Sequence, residues 1–178
     1  APWKPALRVL VLAFALYSAY DIRLFAIKTY GLVIHEFDPW FNYRATEYLA
    51  AHGRTAFFKW YDYMVWYPLG RPIGSTIYPG MQFAAVWIWQ GINAAGYDMS
   101  LNDVCCYVPC WFGVAASIFT GLIAYECSGF NPNAGTLATL VMAIIPAHIM
   151  RSVGGGYDNE SVAMTCMTAT FYFWRHGA

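Results

Sequence analysis

Three carboxylates and one guanidinium stand out in a chain that carries little other charge. Asp158 and Glu160 lie two residues apart in RSVGGGYDNES (151–161), and Asp38 lies in HEFDPWFNYR (35–44). On a helix, side chains two apart diverge by about 200°; in an extended or turn conformation they face one side. Gly154, Gly155 and Gly156 keep the backbone out of a helix just ahead of the pair. Asn159 or Ser161 is then placed to cap the helix that follows. Two carboxylates so held can share a hard divalent cation, and a helix N-terminus favours their ionised form. All-oxygen ligation suits Mg²⁺ or Mn²⁺ better than zinc. The residue types equally fit two solvated acids beside a helix start, because D-x-E is a weak pattern.

Asp38 has its own structural explanation. Asp before Pro is a standard helix start, with Asp38 as N-cap and Pro39 in the first helical position. That helix is expected to run over 39–51 and end at Gly53. His35-Glu36 does not begin a zinc-protease helix, since HExxH needs histidine where Pro39 stands. His148 reads as a packed interhelical histidine rather than a proton carrier. Cys105, Cys106, Cys110, Cys127 and Cys166 sit in or beside apolar runs without a CxxC pair. They read as packing thiols, not as a disulfide framework or a zinc site.

The elements that position these groups are apolar. The 178 residues are 59% hydrophobic and 11% charged, against about 25% charged in soluble domains. A helix crosses the hydrocarbon core with roughly 20 mostly apolar residues, and several runs here are that long. Spans are expected at about 6–27, 105–127, 133–150 and 161–178, giving an all-α polytopic transmembrane bundle. The first run follows Lys4 and Arg8 like a signal peptide, but no small-residue cleavage site comes after it. It reads as an uncleaved span with its basic end in the cytosol. Zero formal net charge gives no basic field for nucleic acid.

Between the first two spans lies a long region, about 28–104. Its polar-aromatic part, with Trp40, Trp60 and Trp66 beside Arg44 and Arg71, suits the headgroup level. The apolar stretch 81–97 could cross the bilayer or lie along it. Parity decides: if Asp38 and the Asp158/Glu160 pair serve one metal, an even number of spans separates them. Spans 105–127 and 133–150 make two, so 81–97 must not cross, and 28–104 is one lumenal loop.

HEFDPWFNYRATEYL, WYPLGRPIGSTIYPG and SVGGGYDNES, in this order and spacing, closely resemble signatures of the catalytic subunit of eukaryotic oligosaccharyltransferase. The likeness covers essentially the whole chain. The stretch 61–72, with Tyr63-Met64 and Arg71-Pro72, is most similar to the single-subunit kinetoplastid type. The resemblance implies the N-terminal part of a GT-C glycosyltransferase fold in the endoplasmic reticulum membrane. It also implies en bloc transfer of an oligosaccharide from dolichyl diphosphate to Asn in Asn-x-Ser/Thr sequons. By motif match Asp38 reaches metal and acceptor amide, Asp158 and Glu160 bind Mg²⁺ or Mn²⁺, and Arg151 balances their charge. Implied partners are the lipid-linked donor, the acceptor polypeptide, membrane lipid, and other subunits of the complex or none for the single-subunit type.

The family's later loop glutamate and WWD motif do not occur in these residues, so the segment alone is expected to be inactive. Asn159-Glu160-Ser161 is itself a sequon, but hugs the membrane and is expected to stay unmodified. Three rivals remain. A protein O-mannosyltransferase would share an early acidic loop without SVGGGYDNE at this distance. A transporter would place its ionisable groups mid-span. A non-catalytic scaffold would tolerate Asp38→Ala.

Overall fold

The computed structural model describes residues 5–177, so Lys4 and residue 178 at the end of the fourth expected span lie outside the described residues. The first apolar run forms α1 (Pro5–Arg23), then breaks at Leu24 before a short α2 (Phe25–Tyr30). A single helix over 6–27 was expected. At the break the Arg23 carbonyl accepts the N–H of Gly154, 2.8 Å away.

Helix α3 (Phe37–Lys59) begins ahead of Asp38, with Glu36 at the N-cap position (φ 66°) and no side-chain cap. Asp38 therefore lies in the first turn rather than capping it. Pro39 permits this, because first-turn N–H groups lack intrahelical partners anyway. Gly53 ends the first helical run as expected, its backbone being non-helical (φ 76°, ψ 174°), and a second short run continues in a new direction as far as Lys59.

A small antiparallel hairpin follows, β1 (Tyr61–Asp62) with β2 (Arg71–Pro72), pairing Tyr61 with Pro72 and Asp62 with Arg71. It leads through α4 (Ile73–Thr76) to α5 (Gly80–Ala94). The 15 residues of α5 rise about 22 Å, short of a hydrocarbon core of about 30 Å.

The bundle is organised on α6 (Leu101–Cys127), whose start is capped by Ser100 Oγ accepting the Asp103 N–H at 3.1 Å. It packs against α1, α7 (Pro132–Ile144) and α9 (Asn159–His176). The expected span 133–150 is divided, since α7 stops and α8 (Pro146–Ile149) starts at a proline that lacks an N–H and clashes with the preceding turn. Helices α6 and α7 approach closely at glycines: a Cβ on Gly121 would overlap the Thr139 hydroxyl. Small residues serve this purpose in membrane bundles. Among the described residues two helices, α1 and α6, are long and apolar enough to cross a membrane. The outward face of α1 is apolar, with Val9 and Leu10 each 66% exposed.

Two apolar clusters fix the elements around the acidic loop. Met81, Ala85, Val104, Cys105, Cys106, Val108 and Tyr157 bury α5 and α6 against the chain ahead of α9. Ala45, Leu49, Phe57, Ile73 and Val86 seat α3 on α4 and α5. Cys105, Cys106 and Cys110 are buried packing thiols, whereas Cys127 and Cys166 are exposed.

Candidate functional site

The acidic motif sits on a loop between α8 and α9 that threads into the bundle. Its backbone is tied to three other segments: Gly154 N–H to Arg23 O (2.8 Å), Gly155 N–H to Cys106 O (3.0 Å), and His35 N–H to Gly155 O (3.0 Å). Gly155 has φ +83°, and a Cβ there would collide with the Val33 carbonyl and lie 2.7 Å from the His35 ring. No other residue type fits. Arg23, fully buried, fastens the loop again through its side chain. Its Nε donates to Ser152 Oγ (2.8 Å), and its two Nη atoms reach the Ala19 and Ala143 carbonyls and His148 Nδ1. His148 is the packed histidine expected.

Asp158 is extended (φ −127°, ψ 160°) and is itself the N-cap of α9, its Oδ1 accepting the Asn159 N–H at 2.7 Å. Asn159 and Ser161, expected as caps, lie inside the helix instead. An acid at this place satisfies a first-turn donor and complements the helix N-terminus. Asn42 on α3 donates to the same Oδ1 at 3.1 Å.

Two cavities meet at Asp158. One, of about 220 Å³, is lined by Tyr30, His35, Glu36, Arg151, Asp158 and Glu160 among others. The other, of about 250 Å³, is lined by Asp38, Phe41, Asn42, Arg71, Tyr78, Asp158 and Asn159 among others. The structure thus brings Glu160 and Arg151 to one side of Asp158 and Asp38 to the other. Arg151 Nη1 lies 3.4 Å from Glu160 Oε1.

Glu160, in the first turn of α9, is pushed above the ordinary carboxylate range. Burial is the largest cause, followed by the hydrogen bond and charge of Asp158; a backbone hydrogen bond and Arg151 oppose them. Its Oε2 is buried without a hydrogen-bond partner, as is Nε2 of His35 beside the same cavity. Adjacent carboxylates that repel, one with an orphaned buried oxygen, fit a hard divalent cation. Among the described residues no three His, Cys, Asp or Glu side chains converge on one metal position. The Asp158–Glu160 pair offers the oxygen donors such an ion takes, and Asp38 lines the adjoining cavity with Asp158.

Sequence reasoning missed Asn42, Gln82 and Arg23. Asn42 carried a usable signal, lying one helical turn beyond Asp38 and so on the same face of α3. Arg71 also lines the Asp38 cavity, its guanidinium over Phe41 (5.2 Å) and Trp66 (5.1 Å) and bonded to Thr76.

This helical membrane bundle with an acidic loop at one end has the GT-C fold. It superposes on the archaeal oligosaccharyltransferase AglB from Archaeoglobus fulgidus, solved in complex with an inhibitory peptide and a dolichol-phosphate, with TM-score 0.72 and 23% identity. The superposition covers 93% of this chain and 19% of that one. The family described as "Oligosaccharyl transferase STT3, N-terminal" matches residues 6–177, and the chain belongs to that family.

Relatives named dolichyl-diphosphooligosaccharide–protein glycosyltransferase subunits are similar over most of this chain. STT3A of Oryza sativa subsp. japonica is 43% identical over 156 residues, 88% of this chain and 20% of its own length. STT3 of Saccharomyces cerevisiae is 41% identical over 163 residues, 88% of this chain and 22% of its own. The Caenorhabditis elegans subunit stt-3 is 39% identical over 168 residues, 94% and 22% respectively. The chain therefore spans about a fifth of the length of these relatives.

Proposed function

We propose that this chain is the cation-binding and acceptor-activating part of an oligosaccharyltransferase of the endoplasmic reticulum membrane, with both acidic motifs on the lumenal face. The full-length protein then transfers a preassembled oligosaccharide from dolichyl diphosphate to Asn of Asn-x-Ser/Thr sequons. Family membership and the names of the relatives support the reaction class. The observation that carries the site is Asp158, shared by one cavity holding Glu160 and Arg151 and another holding Asp38.

In that reaction the acceptor amide nitrogen bonds to the anomeric carbon, with inversion by family resemblance. The C–O bond to the diphosphate breaks and its electron pair departs with that group. Amide nitrogen is a poor nucleophile, so Asp38 holds the side-chain amide and takes its proton. Asp158 and Glu160, with Asp38 nearby, are the residues that would hold Mg²⁺ or Mn²⁺. When bound, such an ion supplies charge neutralisation for the diphosphate leaving group. Arg151 offsets the negative charge of the acidic pair and keeps Glu160 oriented at the cavity mouth.

In the full-length protein, Asp38→Ala, Asp158→Ala and Glu160→Ala are each expected to abolish transfer to a labelled sequon peptide and to fail complementation. Wild-type transfer by all three removes the assignment. Copurification from native membranes distinguishes a single-subunit enzyme from a complex.

A further inference from the structure

We propose that Asn42, held by Gln82, is a positioning residue that sets the rotation of the Asp158 carboxylate at the cation site; this rests on the function proposed above. The two amides form a buried relay from α5 through α3 to the acidic loop. Gln82 is fully buried and Asn42 is 2% exposed. Gln82 Nε2 donates to Asn42 Oδ1 at 3.1 Å, and Asn42 Nδ2 donates to Asp158 Oδ1 at 3.1 Å and to the Tyr157 carbonyl at 3.3 Å.

The polarity of this relay is dictated from the Asp158 end. A carboxylate and a backbone carbonyl only accept, so Asn42 must present its NH₂ to them and its carbonyl oxygen to Gln82. Gln82 must then turn its own NH₂ toward Asn42. A flipped Asn42 would set its oxygen against two acceptors inside the protein, where unpaired polar groups are costly. With the Asn159 N–H on the same oxygen, Asp158 Oδ1 is committed to the protein and the carboxylate has one orientation. Asn42 also borders the cavity containing Asp38 and Asp158. Apolar packing of α5 and α3 is thereby converted into the orientation of one carboxylate. Neither amide belongs to the acidic residues themselves, yet both decide how those residues are presented.

The experiment measures Mn²⁺ binding to the full-length protein by loss of the free-ion EPR signal, with melting temperature followed in parallel. Asn42→Leu is expected to weaken Mn²⁺ binding by about 10–100-fold, the usual effect of removing a partner that orients a ligand. Gln82→Glu keeps size and shape but makes the far end of the relay an acceptor, and is expected to weaken binding by about tenfold. Gln82→Met, which preserves packing, gives a smaller loss and serves if the other two variants do not fold.

Thr46→Val is the control. It removes a hydroxyl that donates to the Asn42 backbone carbonyl (2.9 Å) and accepts from the Tyr157 hydroxyl (2.9 Å) in the same buried layer, and it leaves the Asn42 side-chain amide and Asp158 untouched. It is expected to lower the melting temperature and leave Mn²⁺ affinity unchanged. Equal loss of affinity in Thr46→Val and Asn42→Leu, or unaltered affinity in the Asn42 and Gln82 variants, overturns the inference. Absence of Mn²⁺ binding in the unsubstituted protein strikes the underlying cation reading instead, and is told apart because it precedes any substitution.

Discussion

The loop of residues 150–158 and the hairpin of residues 61–72 are both short, glycine-containing connections, yet they are held in opposite ways. The acidic loop makes two tight turns of its own, Gly156 N–H to Val153 O and Asp158 N–H to Gly156 O, and is otherwise tied outward. Its backbone pairs with Arg23, Cys106 and His35, which belong to three segments far away in sequence. The hairpin's backbone bonds are local: Ile73 N–H bonds to Trp60 O and Leu69 N–H to Trp66 O, and the Tyr61 hydroxyl donates to Leu69 O. Its tip is exposed and aromatic, with Tyr67 at 78% and Trp66 at 67% exposure. A loop anchored by the whole bundle keeps carboxylates in fixed relation to other elements. The hairpin reaches α3 only through side chains, Asp62 to Arg44 and Arg71 over Phe41.

The strongest way to break this contrast is Gly155→Ala. The left-handed backbone costs an L-residue about 1–2 kcal/mol, and forcing a methyl group into a filled space costs about 1–3 kcal/mol more. Because the overlap is with a backbone carbonyl and a ring beside the acidic pair, stability and glycan transfer are expected to fall together. Thermal melting and transfer by the full-length protein measure both. Retention of transfer at a lowered melting temperature would show that the loop tolerates displacement.

Arg23→Met comes next. It fills similar space but strips partners from Ser152, His148 and the Ala143 carbonyl, groups buried beside the loop. Each buried polar group left unpaired costs about 1–3 kcal/mol, reduced where neighbours re-pair. Amide exchange over residues 152–155 is expected to rise, while exchange in the hairpin stays as it was. Equal loosening of both regions would erase the distinction between them.

Much of this organisation was legible because it follows from single-residue rules. The apolar runs located α1, α6, α7 and α9, and the glycines ahead of Asp158 announced an extended backbone that sets Asp158 and Glu160 on one cavity. The errors also have physical causes. Pro146 divided one expected span, and the chain bent at Leu24 where the Arg23 carbonyl serves the acidic loop. Pro39 fixed only the first turn of α3, so Asp38 lost the capping position to Glu36. Placing Asp38 near Asp158 needed a parity argument and a resemblance, since no local pattern joins residues 120 apart. Asn42 was legible only as a neighbour of Asp38 on one face of α3, and Gln82 not at all. Their meaning lies in a pairing across three elements, and an isolated amide on a helix does not say what it will meet.

The smallest expected effect tests the hairpin alone. Asp62 is 2% exposed and is gripped by Arg44, with Nε to Oδ2 at 2.5 Å and Nη2 to Oδ1 at 3.1 Å, and by the Met64 N–H at 2.9 Å. Burial works to raise its pKa, but the Arg44 hydrogen bond, the Met64 N–H and the Arg44 charge outweigh it, and the carboxyl is held below its ordinary value of 3.8. A carboxylate depressed on folding contributes stability that is complete above the unfolded-state pKa and is lost as pH falls through the folded one. The hairpin is therefore expected to loosen only in acid below about pH 4. Asp62→Asn abolishes that dependence and weakens the hairpin at neutral pH. Protection of the Met64 amide against exchange, relative to its intrinsic rate at each pH and compared with Gly155, reads the effect: Met64 protection should change with pH and with Asp62→Asn, and Gly155 protection with neither. Parallel changes at Gly155 would mean that the hairpin is coupled to the acidic loop, and that the aromatic tip bears on the chemistry after all.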